Sequence, residues 1–593
     1  MHGIVSLKAL KFFEKVVIMK KISYILSTVL LSTSIVLSAC SSDKADPAPS
    51  NSPSSSPDAS SSPTPTGSAL TEPLKASDMS KLPQRAQSRT DTIIVSLVNP
   101  SGAFTPYFTQ VGYDGNVNSV LYTPLVQIDE KGLPIPGLAE SWEISEDGLT
   151  YTYHLRKGLK YSDGSPMTTA DVEFTWTLLH DPAYDGLNDV VEARIQGGQA
   201  YKEGKADSIE GIKVIDEHTI SVTLEEKNAT ALTVLGDAIL SKAYYGKDYK
   251  FGNLDYIKNL HANPITNGPY KLEKFLPGQE VRFVANEHYY AGKPKTEHFI
   301  YKTTEGDTWQ FIETGETDYG GFSATTDNLE KLKKLGFVNL VPSTASNYGF
   351  NQFNLEKEHL KDKRVRQALT YGLNRELIYV DSRQGAGKIA NIPSSPILWS
   401  YTEEGINPYP YDPEKAKELL EEAGWKVGAD GIREKDGQKL KIHYLGSKNQ
   451  NTDIFIAIAK ENYQEIGVQL DAEQFPDFNT MYSKVKSGDY DMASFSTTII
   501  SDPSQGVSRF IKGETKGYNN PKIEELYAQG LATADVEERK KIYHEMFKIL
   551  NDELPVMFTS YTKSIVAYNG RIDGFVLNPL AGIAYSLPNW ELK

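Results

Sequence analysis

The chain has 593 residues, 39% of them hydrophobic, and a formal net charge of −15 at pH 7. This length supplies a large core and suggests about two to four domains. The acidic balance argues against a general nucleic-acid binder, which would show basic patches. The 34 tyrosines and 22 phenylalanines provide for both a core and an aromatic binding cleft.

The N-terminal segment has the parts of a secretory signal in order: lysines, an apolar core, then small residues before a cysteine. These parts are Lys20-Lys21, residues 22–36 and Leu37-Ser38-Ala39-Cys40. Met19 is the expected start, and residues 1–39 are expected to be removed. The last four residues resemble a bacterial lipobox, which implies cleavage before Cys40 and attachment of lipid to its thiol. The alternative is an ordinary signal peptide with a cysteine near its end.

Cys40 is the only cysteine, so it cannot form an intramolecular disulfide and needs another role. No later stretch reaches the roughly 18 consecutive apolar residues of a membrane-spanning helix. We therefore expect lipid to hold the mature chain at the extracytoplasmic face of the cell membrane.

Residues 40–90 are predicted to form a disordered tether behind the lipidated cysteine. From Ser41 to about Pro73 the chain is almost entirely Ser, Pro, Ala, Asp and Thr. Such a composition lacks the apolar area that would offset the entropy of ordering the chain. The folded body is expected to begin near Asp91.

Apolar periodicity predicts strands in the first half of the body and helices in the second. The predicted strands are residues 92–98, 150–155 and 220–224. Asp412-Pro413 is expected to begin a helix that Gly424 ends. Asp535 and Glu538 are expected to begin another helix. A third apolar stripe, from Val365 to Leu373, lies among lysines and arginines that are expected at the surface. The mixture predicts an α/β fold with mixed sheets.

Catalytic constellations are missing from the sequence. There is no His-Glu-x-x-His zinc pair and no Gly-x-Ser-x-Gly nucleophile elbow, and the ten histidines are scattered. With its single cysteine at the lipid position, the chain has no candidate for thiol catalysis or a cysteine-rich metal site. We expect a binding protein that is not an enzyme and holds no cofactor or metal of its own.

A series of short segments, in a fixed order, carries a resemblance to a known family. The segments are Leu138-Ala139-Glu140-Ser141-Trp142 and residues 147–158, 162–168, 170–172, 267–270, 362–369, 411–416 and 517–521. They resemble landmarks of the family 5 extracellular solute-binding proteins, the oligopeptide, dipeptide and nickel receptors of ABC importers. The resemblance covers roughly residue 90 to the end.

The resemblance implies a two-lobed periplasmic-binding-protein-like fold (type II, cluster C) with an extra domain inserted into the first lobe. The implied boundaries are 91–120, 227–343 and 561–593 for lobe I, 121–226 for the extra domain and 344–560 for lobe II. Hinge closure of the lobes would bury a ligand. The implied protein is a monomer that hands its ligand to the permease and ATPase subunits of an ABC importer.

In peptide-binding relatives the ligand lies extended and forms backbone hydrogen bonds with strands of the cleft. The resemblance places these contacts at Gln110, Val111, Gly112 and Tyr113 in lobe I, and at Ser496, Thr497, Thr498 and Ile499 in lobe II.

The lobe II segment departs from the family pattern at two positions. Several peptide receptors have an aspartate where this chain has Ile499, and use it to bind the amino terminus of the peptide; their usual tryptophan is here Ser496. An isoleucine cannot pair with an ammonium group, and burying that charge unpaired is costly. A fixed amino-terminal anchor is therefore not expected at Ile499.

Three further residues are ligand candidates by position. Asp502 is a possible source of charge, although the acidic residue of an Asp-Pro turn more often caps the backbone. Tyr348 and Trp399 are aromatic candidates for which core packing is the alternative.

Oligopeptides are the predicted ligand. The alternative within the same receptor role is a metal chelate, a glycan fragment or an opine-like compound. An adhesion or signalling lipoprotein belongs to a different class, and an enzyme is the least favoured.

Overall fold

The computed structural model describes residues 70–109, 111–186, 190–304, 308–511 and 513–593. The signal peptide, the lipobox with Cys40, most of the tether and Gln110 lie outside the described residues. Of the helices in the described ranges, none combines the length and the apolar character needed to cross a membrane.

The strands are β1 Thr92–Leu97, β2 Val126–Ile128, β3 Pro134–Pro136, β4 Ala139–Ile144, β5 Thr150–Leu155, β6 Ile212–Val214, β7 Thr219–Thr223, β8 Tyr270–Leu276, β9 Glu280–Ala285, β10 His298–Thr303, β11 Tyr319–Ser323, β12 Val338–Thr344, β13 Asn347–Phe353, β14 Gly387–Ile389, β15 Lys426–Val427, β16 Arg433–Lys435, β17 Gln438–Lys439, β18 Lys441–Ser447, β19 Gln469–Phe475, β20 Met492–Thr498, β21 Val556–Phe558, β22 Ser560–Asn569, β23 Ile572–Asp573 and β24 Glu591–Leu592.

The α-helices are α1 Gln84–Gln87, α2 Gly112–Leu121, α3 Thr169–Leu179, α4 Gly198–Lys202, α5 Ala231–Leu235, α6 Lys242–Tyr245, α7 Trp309–Glu313, α8 Thr326–Leu335, α9 Glu358–Lys361, α10 Lys363–Tyr371, α11 Arg375–Tyr379, α12 Pro413–Glu422, α13 Gln450–Glu465, α14 Phe478–Ser487, α15 Ser504–Val507, α16 Pro521–Ala532 and α17 Val536–Glu553. Short 3-10 turns lie at Met79–Lys81, Val190–Ala193, Asp255–Asn259, Asp381–Arg383, Ser508–Phe510, Gly582–Tyr585 and Leu587–Asn589.

The largest sheet has the strand order β12-β22-β11-β1-β10-β9-β8, with β14 paired to β22. Its central strand β1 runs parallel to both β10 and β11. Ile93, Val95 and Leu97 point into the core, which confirms the strand predicted there. A second sheet has the order β19-β18-β20-β13-β21, and a third has the order β4-β5-β7-β6. Together with the packed helices they form the predicted α/β architecture of mixed sheets.

The three sheets divide along the predicted segments. The strands of the largest sheet come from the lobe I segments, apart from β14, the last residue of β12 and the first residue of β22. The second sheet comes from the lobe II segment and the third from the extra domain. The third sheet shares one hydrophobic core with the largest sheet, through Tyr151 and Tyr153 of β5. The exact domain boundaries remain a prediction.

Two adjacent chain crossings join the largest sheet to the second. One links β12 to β13 and the other links β21 to β22. Ala345 N donates to Thr562 O at 2.9 Å, and Thr559 N donates to Gly349 O at 2.9 Å. Two side-by-side crossings of this kind are suited to act as a hinge, because few residues need to change conformation when the lobes move.

The long helix α17 shows how the predicted caps operate. The Asp535 side chain accepts a hydrogen bond from Glu538 N at 2.9 Å, as expected of an N-cap. At the other end, Arg366 of α10 donates to the carbonyls of Glu553 and Leu554. The sequence had placed the arginines of α10 at the surface; Arg366 is instead buried, and burial lowers its pKa to about 10. A cation at a helix C-terminus is favoured by the helix dipole.

Residues 70–90 differ from the prediction. They were expected to belong to a disordered tether, but Leu74 pairs with Leu340 at the edge of β12. Leu82 and Ala86 are buried in a cluster beside β12 and β22. Arg89 forms an ion pair with the buried Asp318 at 2.7 Å. The Ser/Pro-rich composition ends near Pro73, and the few apolar residues after it are enough to join the core, so the folded body begins about twenty residues earlier than Asp91.

Candidate ligand site along a free strand edge

The main candidate site is the open edge of β20. This strand pairs with β13 along its whole length, but with β18 only at Met492 and Ala493. Ile499 N donates to Ser346 O at 2.8 Å, and Asn354 N donates to Asp491 O at 2.9 Å. Because hydrogen-bonding direction alternates along an antiparallel pair, the odd-numbered residues of β20 turn their backbone groups to β13.

The even-numbered residues Ser496 and Thr498 therefore turn their N–H and C=O groups to the opposite edge. In the described part of the chain, no strand pairs with that edge beyond Ala493. Ser496 and Thr498 are also exposed. An exposed edge with unpaired backbone groups is a template for an added strand.

A cavity lies on each face of this edge. The first, called here the Tyr444 cavity, has a volume of about 400 Å³. Its lining includes Gly349, Asn351, Tyr444, Ser494 and the hinge residues Thr559 and Ser560. The second, called here the Arg509 cavity, has a volume of about 430 Å³. Its lining includes Gln352, Phe478, Tyr482, Lys486, Thr497 and Arg509. Phe478, Phe495 and Ser496 line both cavities.

A third cavity lies where β20 meets lobe I. It measures about 490 Å³ and is called here the lobe I cavity. Ile500 and Ser501, the second and third residues after β20, line one side of it. The opposite wall includes Tyr107, Asn118, Asp237 and Tyr289 from the lobe I segments, and Tyr122 and Gln127 from the start of the extra-domain segment. The three cavities therefore follow the exposed edge of β20 and its continuation towards lobe I.

Two local features fix the lobe I wall. Gly268 lies so close to the end of α2 that a Cβ there would meet Leu121 C at 2.5 Å, so only glycine fits. Tyr107 has a positive φ of 73°, which is unfavourable for a bulky residue. Its hydroxyl donates to Ala238 O at 2.6 Å, which helps to hold this conformation. Strained backbone of this kind tends to cluster at binding and catalytic sites.

Asp237 is the acidic group of the lobe I wall. Its carboxylate accepts a hydrogen bond from Ala238 N at 2.7 Å. Burial raises the pKa of Asp237 above its ordinary value. The pKa of Tyr107 is also raised, mainly by burial and further by the Asp237 carboxylate. Both groups therefore favour their neutral forms more than they would in water.

The predicted lobe I contacts lie at the start of α2. Gly112 is the first residue of this helix, and Val111 and Tyr113 are 39% and 42% exposed. Gly115, Asn118 and Ser119 of the same helix line the lobe I cavity. The predicted segment thus adjoins the cavity, while residues further along the helix form its wall.

The predicted lobe II contacts divide into two groups. Ser496, Thr497 and Thr498 lie on β20, and the first two line the flanking cavities. Ile499 is fully buried in the lobe II core, so its side chain is not available to a ligand. Ile499 is therefore removed from the predicted ligand contacts. Burying its apolar side chain in the core stabilises the fold.

Tyr348, Trp399 and Asp502 also belong to the core rather than to the ligand set. Tyr348 is buried and its hydroxyl donates to Gly506 O at 2.7 Å. Trp399 packs in the same core, with the Arg539 guanidinium 5.3 Å from its ring centroid. Asp502 pairs with Arg539 at 2.8 Å and accepts from Ser504 N at 2.9 Å. Tyr348 and Trp399 thus have the core packing named above as their alternative, and Asp502 has the backbone-capping role.

The sequence did not indicate several residues of the site. Phe478 and Tyr482 are 52% and 43% exposed and stack on each other at 5.7 Å. The two residues are four positions apart, so they are neighbours on the surface of α14, away from the buried Met481 and Val485. This spacing could have been recognised in the sequence. Arg509 carries no comparable signal, because its role depends on contacts with residues distant in the chain.

A further cavity, with a volume of about 710 Å³, lies away from the free edge. One wall comes from the extra domain and residues 228–234, and the other from residues 501–531; Ala229 N donates to Leu531 O at 2.7 Å beside it. Its Arg194 is paired with Glu225 and Glu226. The cavity offers no strand edge, so we do not place the ligand backbone there. In the described ranges no three or more His, Cys, Asp or Glu side chains are grouped as metal ligands.

Comparison with known proteins agrees with this geometry. The family model described as "Bacterial extracellular solute-binding proteins, family 5 Middle" matches residues 134–519. The chain belongs to this family of solute-binding proteins.

Two relatives and one solved structure show the range of the family. The chain is 28% identical over 546 residues to the heme-binding protein A of Haemophilus influenzae, covering 88% of this chain and 97% of the relative. It is 25% identical over 526 residues to the oligopeptide-binding protein AppA of Bacillus subtilis, covering 87% and 94%. The structure of AppA in complex with a nonapeptide has a TM-score of 0.66 at 23% identity and covers 86% of this chain and 100% of AppA. This likeness shows the two-lobed fold.

Proposed function

We propose that this protein is the lipid-anchored receptor of an ABC importer and captures extracellular oligopeptides. The observation that carries the proposal is the free edge of β20 with a cavity on each face. A peptide added there would hydrogen-bond through its backbone to Ser496 and Thr498. Backbone pairing gives affinity without regard to peptide sequence, and the flanking pockets receive side chains.

The alternation of a strand fits the two cavities. Successive side chains of an added strand point to opposite faces. One side chain would enter the Tyr444 cavity, the next would enter the Arg509 cavity, and the peptide would continue towards the lobe I cavity. Closure about the paired crossings would then enclose the ligand, and the closed form would be recognised by the permease.

The lipid anchor at Cys40 follows from the lipobox and stays part of the proposal. Anchoring would keep the receptor close to its permease and raise the effective concentration of the ligand-bound form. Palmitate labelling of the wild-type chain and of Cys40→Ser in a bacterial host tests this part. The variant is expected to lose the label and to be released from the membrane.

Native mass spectrometry of the full chain, purified without denaturation, tests the ligand. The expected result is a ladder of bound masses that fragment as peptides. The matched variant Ser496→Pro, which lacks one outward N–H, is expected to retain much less of this material. A wild-type protein that neither carries nor binds peptides from a random library would contradict the proposal.

A metal chelate is the second candidate ligand, favoured by the similarity to a heme-binding protein. The same purified sample distinguishes it. One discrete bound mass with a metal, or a porphyrin absorbance band, would replace the peptide ladder.

A further inference from the structure

Arg509 occupies an unusual position on one face of β20. Its guanidinium carbon lies 3.9 Å from the centroid of the Phe350 ring, so the group lies over this ring of β13. Nη1 donates to Thr497 Oγ1 at 3.0 Å, and Nη2 donates to Gln352 Oε1 at 2.9 Å. These neutral partners fix the group in place next to the free edge, on the side of the Arg509 cavity.

The charge of Arg509 is left without a counter-charge. In the described ranges, no carboxylate oxygen lies within 4.0 Å of its guanidinium. Its Nε is buried and donates to no described group. A guanidinium has five N–H donors, so two neutral bonds leave most of its capacity unused. A partly buried cation of this kind is costly unless an anion completes its surroundings.

The other charged groups of the cavity do not supply that anion. Lys486 adds a second positive charge, with its ammonium 5.1 Å from the centroid of the Tyr482 ring. Lys516 adds a third and is 3.8 Å from Glu356. Glu514 also lines the cavity but is exposed. The cavity is therefore positive next to the strand edge and aromatic at its rim.

We propose that Arg509 binds a carboxylate of the ligand in this cavity, which makes the Arg509 face of the strand selective for acidic groups. The inference rests on the proposed peptide function and deepens it. Only every second side chain of an added strand reaches this face. The Tyr444 cavity on the opposite face is lined by the neutral polar groups of Asn351, Ser494 and Ser496 and by one arginine, Arg383, whose guanidinium carbon lies 5.3 Å from the centroid of the Tyr379 ring. The acidic preference that depends on Arg509 is thus expected only at the alternate peptide positions whose side chains reach this face.

The carboxylate has two possible sources, an acidic side chain or the C-terminus of the peptide. Both offer the same planar pair of oxygens, which matches a guanidinium. Calorimetry of the full chain with pentaalanine and its variants separates them. One set carries a single Glu, or the isosteric Gln, at each position in turn; the other compares the free C-terminus with the C-terminal amide.

The expected result is that one of these carboxylates improves affinity by about tenfold, a ratio that corresponds to about 1.4 kcal/mol. Arg509→Gln is expected to abolish that preference while still binding the neutral peptides. The matched control is Arg364→Gln, which removes a half-buried arginine of helix α10 that pairs with Asp362 at 2.6 Å and is not among the described residues that line either flanking cavity. It is expected to leave the preference unchanged.

The outcomes separate this inference from the proposed function. Failure to bind any of the peptides would contradict both. Binding with no carboxylate preference, or a preference that persists in Arg509→Gln, would overturn the role of Arg509 alone. If Arg509→Gln does not fold, Arg509→Lys serves instead, since it keeps the charge but not the planar fork. If the carboxylate preference of Arg509→Lys equals that of the wild type and does not fall at high salt, the proposed pairing of the Arg509 guanidinium with the carboxylate is contradicted.

Discussion

Arg539 and Arg509 both lie in lobe II, and they contact neighbouring parts of the chain. Arg509 contacts Thr497 near the end of β20, and Arg539 contacts Asp502 in the turn that follows, but the charges around the two guanidinium groups differ. Arg539 is buried, pairs with Asp502 at 2.8 Å and donates to Gly530 O at 2.9 Å. It also faces the rings of Trp399 and Tyr543. Arg509 has an aromatic ring and neutral acceptors but no carboxylate in the described residues.

The comparison separates a structural charge from a binding charge. Desolvating an ion pair is expensive, and the pair contributes mainly by fixing geometry once both partners are present. The Asp502–Arg539 pair therefore holds the turn after β20 against α17. An arginine without its counter-ion keeps the capacity to bind an anion from outside. The two guanidinium groups can thus be told apart by what their removal affects, stability or ligand binding.

The largest expected effect comes from breaking the structural pair. Asp502→Ala leaves the Arg539 charge buried and unpaired, which costs about 3–5 kcal/mol of unfolding free energy. Urea denaturation followed by tryptophan fluorescence measures this loss. The double variant Asp502→Ala/Arg539→Met is expected to recover part of it, since no unpaired charge remains. A double variant as unstable as Asp502→Ala would show that the charge is not the cause.

Proline substitution at neighbouring positions tests the two edges of β20. Thr497→Pro removes an N–H that points to β13 and leaves a buried carbonyl without its donor, at a cost of about 1–3 kcal/mol. Ser496→Pro removes an N–H that points to the open edge, where proline is tolerated. We expect a clear fall in melting temperature for Thr497→Pro and a smaller fall for Ser496→Pro.

Peptide affinity measured on the same pair adds an independent check. Ser496→Pro is expected to weaken peptide binding although it remains folded, because the ligand loses one backbone bond. The reverse pattern, with Ser496→Pro unstable and Thr497→Pro stable, would mean that the N–H of Ser496 points to β13 and the N–H of Thr497 points to the open edge.

The sequence was sufficient for features that depend on local order. The alternation in residues 150–155 and the caps at Asp412 and Asp535 are found as predicted, since each depends on residues only a few positions apart. It was less informative about residues 70–90, where a few apolar side chains outweigh a polar neighbourhood. It also could not find Arg509, whose partners Gln352 and Thr497 are brought together by the pairing of β13 with β20.

The aromatic rim of the Arg509 cavity is expected to affect binding more than stability. Phe478→Ala removes an exposed side chain that stacks on Tyr482, so the free energy of unfolding should change by less than about 0.5 kcal/mol. Loss of its apolar surface should weaken peptides with a large side chain at the Arg509 face by severalfold, and leave pentaalanine nearly unaffected. Chemical denaturation and calorimetry measure the two effects. An equal loss for both peptides would contradict the assignment of Phe478 to a side-chain pocket.

Asp237 adds a smaller, pH-dependent case on the lobe I side of the cleft. Burial raises its pKa in the folded protein above the ordinary value of 3.8. Below that value the carboxyl is protonated in both states, and its burial costs no charge. As pH rises through the folded pKa, the unfolded state ionises first and the protein loses stability. Asp237→Asn has no such charge and keeps an oxygen to accept from Ala238 N. It should therefore match the wild type near pH 3 and unfold at a higher temperature near pH 7. Melting curves across this range measure the difference. A variant less stable than the wild type at pH 7 would mean that Asp237 is ionised and stabilised in the folded protein.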